Sequence, residues 1–286
     1  MEYRVGPLPY LIAISLMWGS AYLFLKISSA EVPPLLLAAL RAGVAVPVLL
    51  VICFLRREFT IGRARARDML VIGTLNGWLP NALAALAITS ISSAMAGVLQ
   101  ATTPIITGVL AAMLLQGERL SLKTGLCLAG GFAGVVLVVA SSGGEEASGS
   151  FLGYLLMIGV AMSFGAGAVY ARWAKPGAPA LVASGQLVVA AVVAGVFSLL
   201  VGENWAITLN GEALFAVFML GAFSTALPAM LFLVVISRYK AVKVGAASFL
   251  QPIWAILLGF LRSRVSGGLE GCSGGSWSVA KAGSHR

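Results

Sequence analysis

Residues 69–117 contain no Asp, Glu, Lys or Arg. One membrane span needs roughly 20 apolar residues, so this run is long enough for two. It divides at the polar cluster Thr89, Ser90, Ser92 and Ser93. Further charge-free intervals follow at 124–144, 147–171, 176–202, 213–237 and 244–261, and two more precede it. In hydrocarbon the backbone has no water to bond to, and a helix satisfies its own N–H and C=O groups. The long apolar runs therefore predict helices, even where valines such as Val188, Val189, Val192 and Val193 cluster. Nine spans are expected, at about 8–29, 33–55, 69–88, 93–116, 122–140, 150–171, 178–201, 212–236 and 242–261. The fold class read from this is all-α, a polytopic membrane helix bundle.

Composition agrees and removes the other classes. Only 10% of the 286 residues are charged, against about 25% in a soluble domain. Mean hydropathy is +0.98. Cys53, Cys127 and Cys272 are too few and too scattered for a disulfide framework or a metal site. The net charge of +9 does not point to nucleic acid, because the basic residues lie in short loops between apolar runs. The first apolar run, about Pro7 to Ser29, is longer than the core of a cleaved signal.

Loop charges orient the spans. With the N-terminus inside, inward segments carry Arg4, Arg56, Arg57, Arg63, Arg65, Arg67, Arg119, Lys123, Arg172, Lys175, Arg238, Lys240 and Lys243. Outward loops carry Glu31, Glu145, Glu146, Glu203 and Glu212. This is the positive-inside pattern, and it places the N-terminus in the cytoplasm of an inner (plasma) membrane. Lys26, near the outer end of the first span, is within snorkelling reach of the interface.

The chain also resembles itself. Trp18-Gly19 matches Phe164-Gly165, Lys26 matches Arg172, Ala96-Gly97 matches Val244-Gly245, and Pro104-Ile105 matches Pro252-Ile253. The polar link at 141–149 separates a first unit, 1–140, from a second, 150–261. Five spans, an odd number, precede the second copy, so equivalent helices are expected to run in opposite directions, an inverted repeat typical of secondary transporters. By that symmetry a tenth span should follow. Instead 262–286 is a polar, Gly- and Ser-rich tail, read as a frameshift or truncation, with a natural tail as the alternative. Pro228 has no evident mate in this alignment.

Trp18-Gly19-Ser20, Phe24 and Lys26, then Leu40-Arg41, carry a wider likeness. So do Gln100, Pro104, Ile105, Gly117-Glu118-Arg119-Leu120, Gly130, Gly134, Gly185-Gln186-Leu187 and Gln251-Pro252-Ile253. Over about residues 8–261 the chain resembles the EamA-type transporters of the drug/metabolite transporter superfamily. The resemblance implies two five-helix repeats, both termini cytoplasmic, and alternating-access transport of small molecules. Export of amino acids, metabolites or drugs is common in the family, and some relatives carry nucleotide sugars or sugar phosphates. The chain departs from it by lacking a second Gly-Glu-Arg and a last span. The alternatives are a truncated, non-transporting membrane protein of the same fold, or an integral-membrane enzyme.

Candidate pathway residues follow from polarity inside spans. Trp18 and Ser20 come from the first span, Phe164 and Tyr170 from the sixth, and Gln186 from the seventh. Arg41 interrupts the second span, and an unpartnered arginine in hydrocarbon is costly. It reads either as an anion-binding or gating group, or as a structural partner of Glu31 or lipid headgroups. Asn76, Trp78 and Asn81 flank Gly77 and Pro80, a local break whose freed carbonyls are expected to face a cavity. Pro104 and Pro252 are expected to kink their helices. Gly117, Glu118 and Arg119 form an inner turn, expected to be fixed by pairing of the two charges. Gly130 and Gly134 permit close helix contact. No nucleophile elbow, HExxH or phosphate loop is present, so no enzyme chemistry and no cofactor are expected. The expected partners are a small-molecule substrate and the lipid bilayer, not nucleic acid.

Overall fold

The computed structural model describes residues 6–58, 63–88, 90, 91, 93–141, 150–251, 253, 254, 257 and 258. Pro252, most of the 141–149 linker and the 262–286 tail lie outside them. The described residues are helical, with no β-strand among them. The helices are α1 (Pro7–Ser28), α2 (Pro34–Arg56), α3 (Arg63–Gly73), α4 (Leu79–Ile88), α5 (Ser93–Gln100) and α6 (Thr103–Leu114). There follow α7 (Leu122–Ser141), α8 (Phe151–Ala174), α9 (Pro179–Val201), α10 (Gly211–Gly221), α11 (Leu227–Arg238) and α12 (Ala241–Gly245).

Six helical stretches among the described residues are long and apolar enough to cross a membrane: Pro7–Ser28, Pro34–Arg56, Met95–Leu114, Phe151–Ala174, Pro179–Val201 and Gly211–Arg238. Leu122–Leu137 is a shorter apolar helix. Large apolar side chains face outward along these helices, among them Phe54, Leu55, Leu126, Phe151 and Leu200. Water would penalise that surface, whereas lipid accepts it. The chain is a multi-pass membrane protein.

Inside, one cluster joins Ile14, Leu49, Ile72, Val182, Leu233 and Val235 across α1, α2, α3, α9 and α11. Prolines open several helices, where the missing N–H costs nothing: Pro7, Pro34, Pro104, Pro179 and Pro228. Ser150 and Asn210 cap α8 and α10, accepting from Gly153 N–H at 3.1 Å and Ala213 N–H at 2.8 Å.

Four interruptions among the described residues shape the bundle. A π-helical turn, Thr74–Trp78, joins α3 to α4, and another, Ala222–Ala226, joins α10 to α11. Their first residues differ in number by 148, and so do Pro80 and Pro228 just beyond them. Pro80 and Pro228 therefore each stand two residues beyond a π turn. Each lies in the last turn's shadow, and a proline N cannot close the regular bond there. The fourth span, Met95–Leu114, is interrupted at Ala101 and Thr102, and Pro104 stands in the first turn of α6 just beyond the interruption. In the ninth span a 3₁₀ stretch, Ala246–Leu250, follows α12.

One boundary differs from expectation. The basic stretch from Arg63 to Asp68 is the first turns of α3, not an inner loop. Arg67 lies 6.0 Å from the Trp173 ring centroid and 3.8 Å from the Asp68 carboxylate. Asp68 in turn accepts from Tyr170 Oη, which holds this turn against α8.

Candidate functional site

The π turns build the polar interior. In a π turn the bond skips one residue further, so a carbonyl is left over. Leu79 N–H goes to Thr74 O, and Leu75 O loses its usual donor. Ser163 Oγ from α8 donates to Leu75 O at 2.8 Å instead. Asn81 Nδ2 donates to Gly77 O at 2.6 Å, supporting the same turn from within. The carbonyl freed by the π turn, Leu75 O, is therefore bonded to a side chain rather than open to a cavity. Trp78 Nε1 donates to Thr74 Oγ1 at 3.3 Å, and its ring stacks 6.3 Å from Phe197 of α9. The Asn76 carboxamide lies against Gly167, leaving no room for a methyl there. Gly73 and Gly77 bring this turn onto the α9 backbone at Gln186, whose side chain is buried.

The second π turn packs on α1 and α2. Ser224 and Ser20 share a buried hydroxyl–hydroxyl bond of 2.9 Å. Thr225 Oγ1 donates to Leu220 O at 2.7 Å. Gly221 meets α2 so closely that a methyl there would lie 2.6 Å from Val44 Cβ and 2.8 Å from Arg41 O. Trp18 packs nearby, its ring 5.9 Å from Phe232. Trp254 Nε1 donates to Ser15 Oγ at 3.1 Å, across Gly19 of α1.

Seven of the nine expected pathway residues thus divide between two polar patches. Asn76, Trp78, Asn81 and the Gln186 backbone gather at the first turn. Trp18, Ser20 and the Arg41 backbone gather at the second. Phe164 belongs to neither and packs with Ala87, Ile91, Met157 and Val160. Tyr170 lies four residues from the end of α8, its hydroxyl 2.7 Å from Asp68. A cavity of about 400 Å³ opens beside α2, lined by Leu36, Ala39, Leu40, Gly43, Val44, Pro47 and Trp205. None of the expected pathway residues lines it.

The fourth-span break is stabilised locally. Pro104 cannot donate to Gln100 O, and Thr103 Oγ1 does so at 2.7 Å. Thr102 Oγ1 donates to Leu99 O at 2.6 Å. Pro104 meets the ninth span at Gly245.

The inner turn departs from expectation. Gly117 takes φ +84°, which suits glycine. Glu118 is buried and does not pair with Arg119, which is exposed. Its partner is Arg172 of α8, with Nε 3.0 Å from Oε1. Glu118 Oε2 also accepts from Ala241 N–H, the start of α12, at 3.0 Å. Arg172 Nη1 donates to Ser237 O and Ile236 O at the end of α11. A buried carboxylate needs such partners, and a local turn could not supply them all.

Sequence reasoning missed Ser163, Ser224, Thr225 and Trp254. The signal was present in Gly73…Leu79-Pro80 and Gly221…Leu227-Pro228, which share one spacing and mark both turns. Among the described residues no group of His, Cys, Asp and Glu is placed to hold a metal ion.

A multi-pass helical bundle whose spans break into irregular turns around small polar patches belongs to the class of membrane transport proteins. The chain belongs to the EamA-like transporter family, whose model matches residues 7–140 and again residues 151–267. Curated relatives include the uncharacterized transporter YoaV of Bacillus subtilis, 22% identical over 254 residues, covering 88% of this chain and 87% of that one. The uncharacterized inner membrane transporter YedA of Escherichia coli is 25% identical over 250 residues, covering 87% of this chain and 80% of its own. The uncharacterized transporter YvbV of Bacillus subtilis is 28% identical over 251 residues, covering 85% and 79%. A solved crystal structure shares the fold with a TM-score of 0.78 at 21% identity, covering 91% of this chain and 90% of that one.

Proposed function

We propose that this protein is a secondary transporter of the inner membrane that moves a small metabolite, amino acid or drug-like solute by alternating access, in the direction of export. Its two units, 1–140 and 150–261, act as antiparallel copies, with the N-terminus cytoplasmic. The observation that carries the reading is the pair of π turns. Each lies at the same numerical offset, each is followed by a matched proline, and each packs on helices of the other unit. At the first break a side-chain hydroxyl, Ser163 Oγ, serves the freed Leu75 carbonyl, which lowers the cost of leaving the regular helical ladder there. Loop charges support the orientation, and the printed name of one relative supports the membrane.

The substrate path runs between the two polar patches. Trp18, Ser20, Asn76, Trp78 and Gln186 supply neutral donors and aromatic faces, and Arg41 supplies the positive charge that favours solutes bearing a carboxylate or phosphate. The test is counterflow in proteoliposomes with a panel of amino acids, organic acids and cationic drugs. At least one class exchanges, and Arg41→Gln lowers flux of anionic members more than neutral ones. A folded, monodisperse protein that exchanges none of them overturns the proposal.

A further inference from the structure

Helices α2 and α9 end alike. Arg57 closes α2 with φ +54° and Gly202 closes α9 with φ +78°. In both, the next residue is a glutamate whose N–H turns back to a carbonyl five residues earlier. Glu58 N–H reaches Cys53 O, and Glu203 N–H reaches Ser198 O, each at 3.0 Å. This left-handed closure ends each helix and leaves the glutamate just beyond its last turn.

Each glutamate then caps the other helix. Glu58 Oε2 accepts from Ala180 N–H at 3.0 Å, in the first turn of α9. Glu203 accepts from Leu35 N–H at 3.0 Å and Leu36 N–H at 2.7 Å, in the first turn of α2. Both helices begin with a proline, Pro34 or Pro179, which has no N–H to satisfy. The caps take the free donors that follow, where a carboxylate is favoured by charge and by hydrogen bonding. Ser198 Oγ donates to Glu203 Oε2 at 2.6 Å and is itself held by Trp205 Nε1. Since the end of each helix meets the start of the other, α2 and α9 are antiparallel and are fastened at both ends.

We propose that Glu58 and Glu203 are positioning residues that make α2 and α9 a fixed axle, about which the remaining helices of each unit move. This rests on the alternating-access reading above. In an inverted pair of units, exchanging the two conformations turns one closed face into the other. A contact made at both faces at once survives that exchange and cannot be the gate. The glutamate caps are such a contact. The Glu118–Arg172 pair is not, because it joins the end of α8 to the turn after α6 and has no counterpart ion pair between helices among the described residues.

The test is pulsed electron spin distance measurement on full-length protein in lipid, with the native cysteines replaced. One label pair occupies Leu55 and Leu200, exposed positions on the axle helices. A second occupies Leu114 and Trp173, exposed positions on α6 and α8. The axle pair should give one distance population, unchanged by added substrate panels, while the second pair gives two. In the E58A/E203A double variant the axle population splits, and in E58Q/E203Q, which keeps an acceptor oxygen on each side chain, it stays single. Two axle populations in the otherwise native protein overturn the proposal, as does an unsplit population in E58A/E203A or a split one in E58Q/E203Q. A single population for the Leu114–Trp173 pair instead sinks alternating access itself, whatever the axle does.

Discussion

Glu118 and Arg172 are 54 residues apart in sequence and 3.0 Å apart in space. The pair ties the turn after α6 to the end of α8, and through Ala241 N–H and Ser237 O it also ties α11 to α12. Removing one partner leaves a mostly buried charge without compensation, which typically costs about 3–5 kcal/mol. Arg172→Ala should therefore lower the unfolding midpoint strongly in a detergent melt. Arg172→Lys keeps the charge but cannot reach Glu118 and the two carbonyls together, so it should fall between. Equal midpoints for the three proteins would show that the pair holds nothing.

Close helix approach at Gly221 is a second testable point. A methyl there meets Val44 Cβ and the Arg41 backbone oxygen within 3 Å, and backbone cannot rotate away. Gly221→Ala should cost about 1–3 kcal/mol, as overpacking does. Gly130 has nothing within 4 Å of the same position, so Gly130→Ala should change stability by less than about 0.5 kcal/mol. Melting curves of the two variants side by side decide it, and a harmless Gly221→Ala would refute the contact.

Ser163 satisfies the carbonyl freed by the first π turn. Ser163→Ala leaves Leu75 O unpartnered inside the bundle, at a cost of about 1–3 kcal/mol. Faster hydrogen exchange through Thr74–Trp78 is expected, with α9 unchanged. Unaltered exchange in that turn would mean that the hydroxyl is dispensable.

Arg57 adopts the left-handed conformation that Gly202 adopts at the equivalent end of α9. A side chain pays about 1 kcal/mol there that glycine does not. Arg57→Gly should raise the unfolding midpoint slightly. A clear loss of stability would show that the Arg57 side chain contributes more than its backbone strain takes away.

The membrane class was legible because it depends on summed apolar length, which needs no knowledge of contacts. Residues 69–117 alone require more than one span, and the structure breaks that run between α4 and α5. The positions of the breaks are half legible. Gly77 and Pro80 mark the first π turn, but Pro228 stands among apolar residues without a flanking asparagine or Gly-Trp step, so nothing adjacent to it marks the second. The Glu118 pairing was not legible at all. Arg119 is its neighbour in the chain, and adjacency is a poor guide when the stronger partner arrives on another helix. Tyr170 shows the same limit, since an aromatic near a helix end is equally suited to a pathway or to Asp68.

Hydropathy by itself therefore determines the solvent, the helical state and the approximate spans, because unsatisfied backbone is intolerable in hydrocarbon. Contacts between helices are decided elsewhere. Which carbonyl Ser163 serves, which helix Glu203 caps and which cation meets Glu118 depend on how the packed helices are placed. Those are matters of a few ångströms in three dimensions, and no single run of residues encodes them locally.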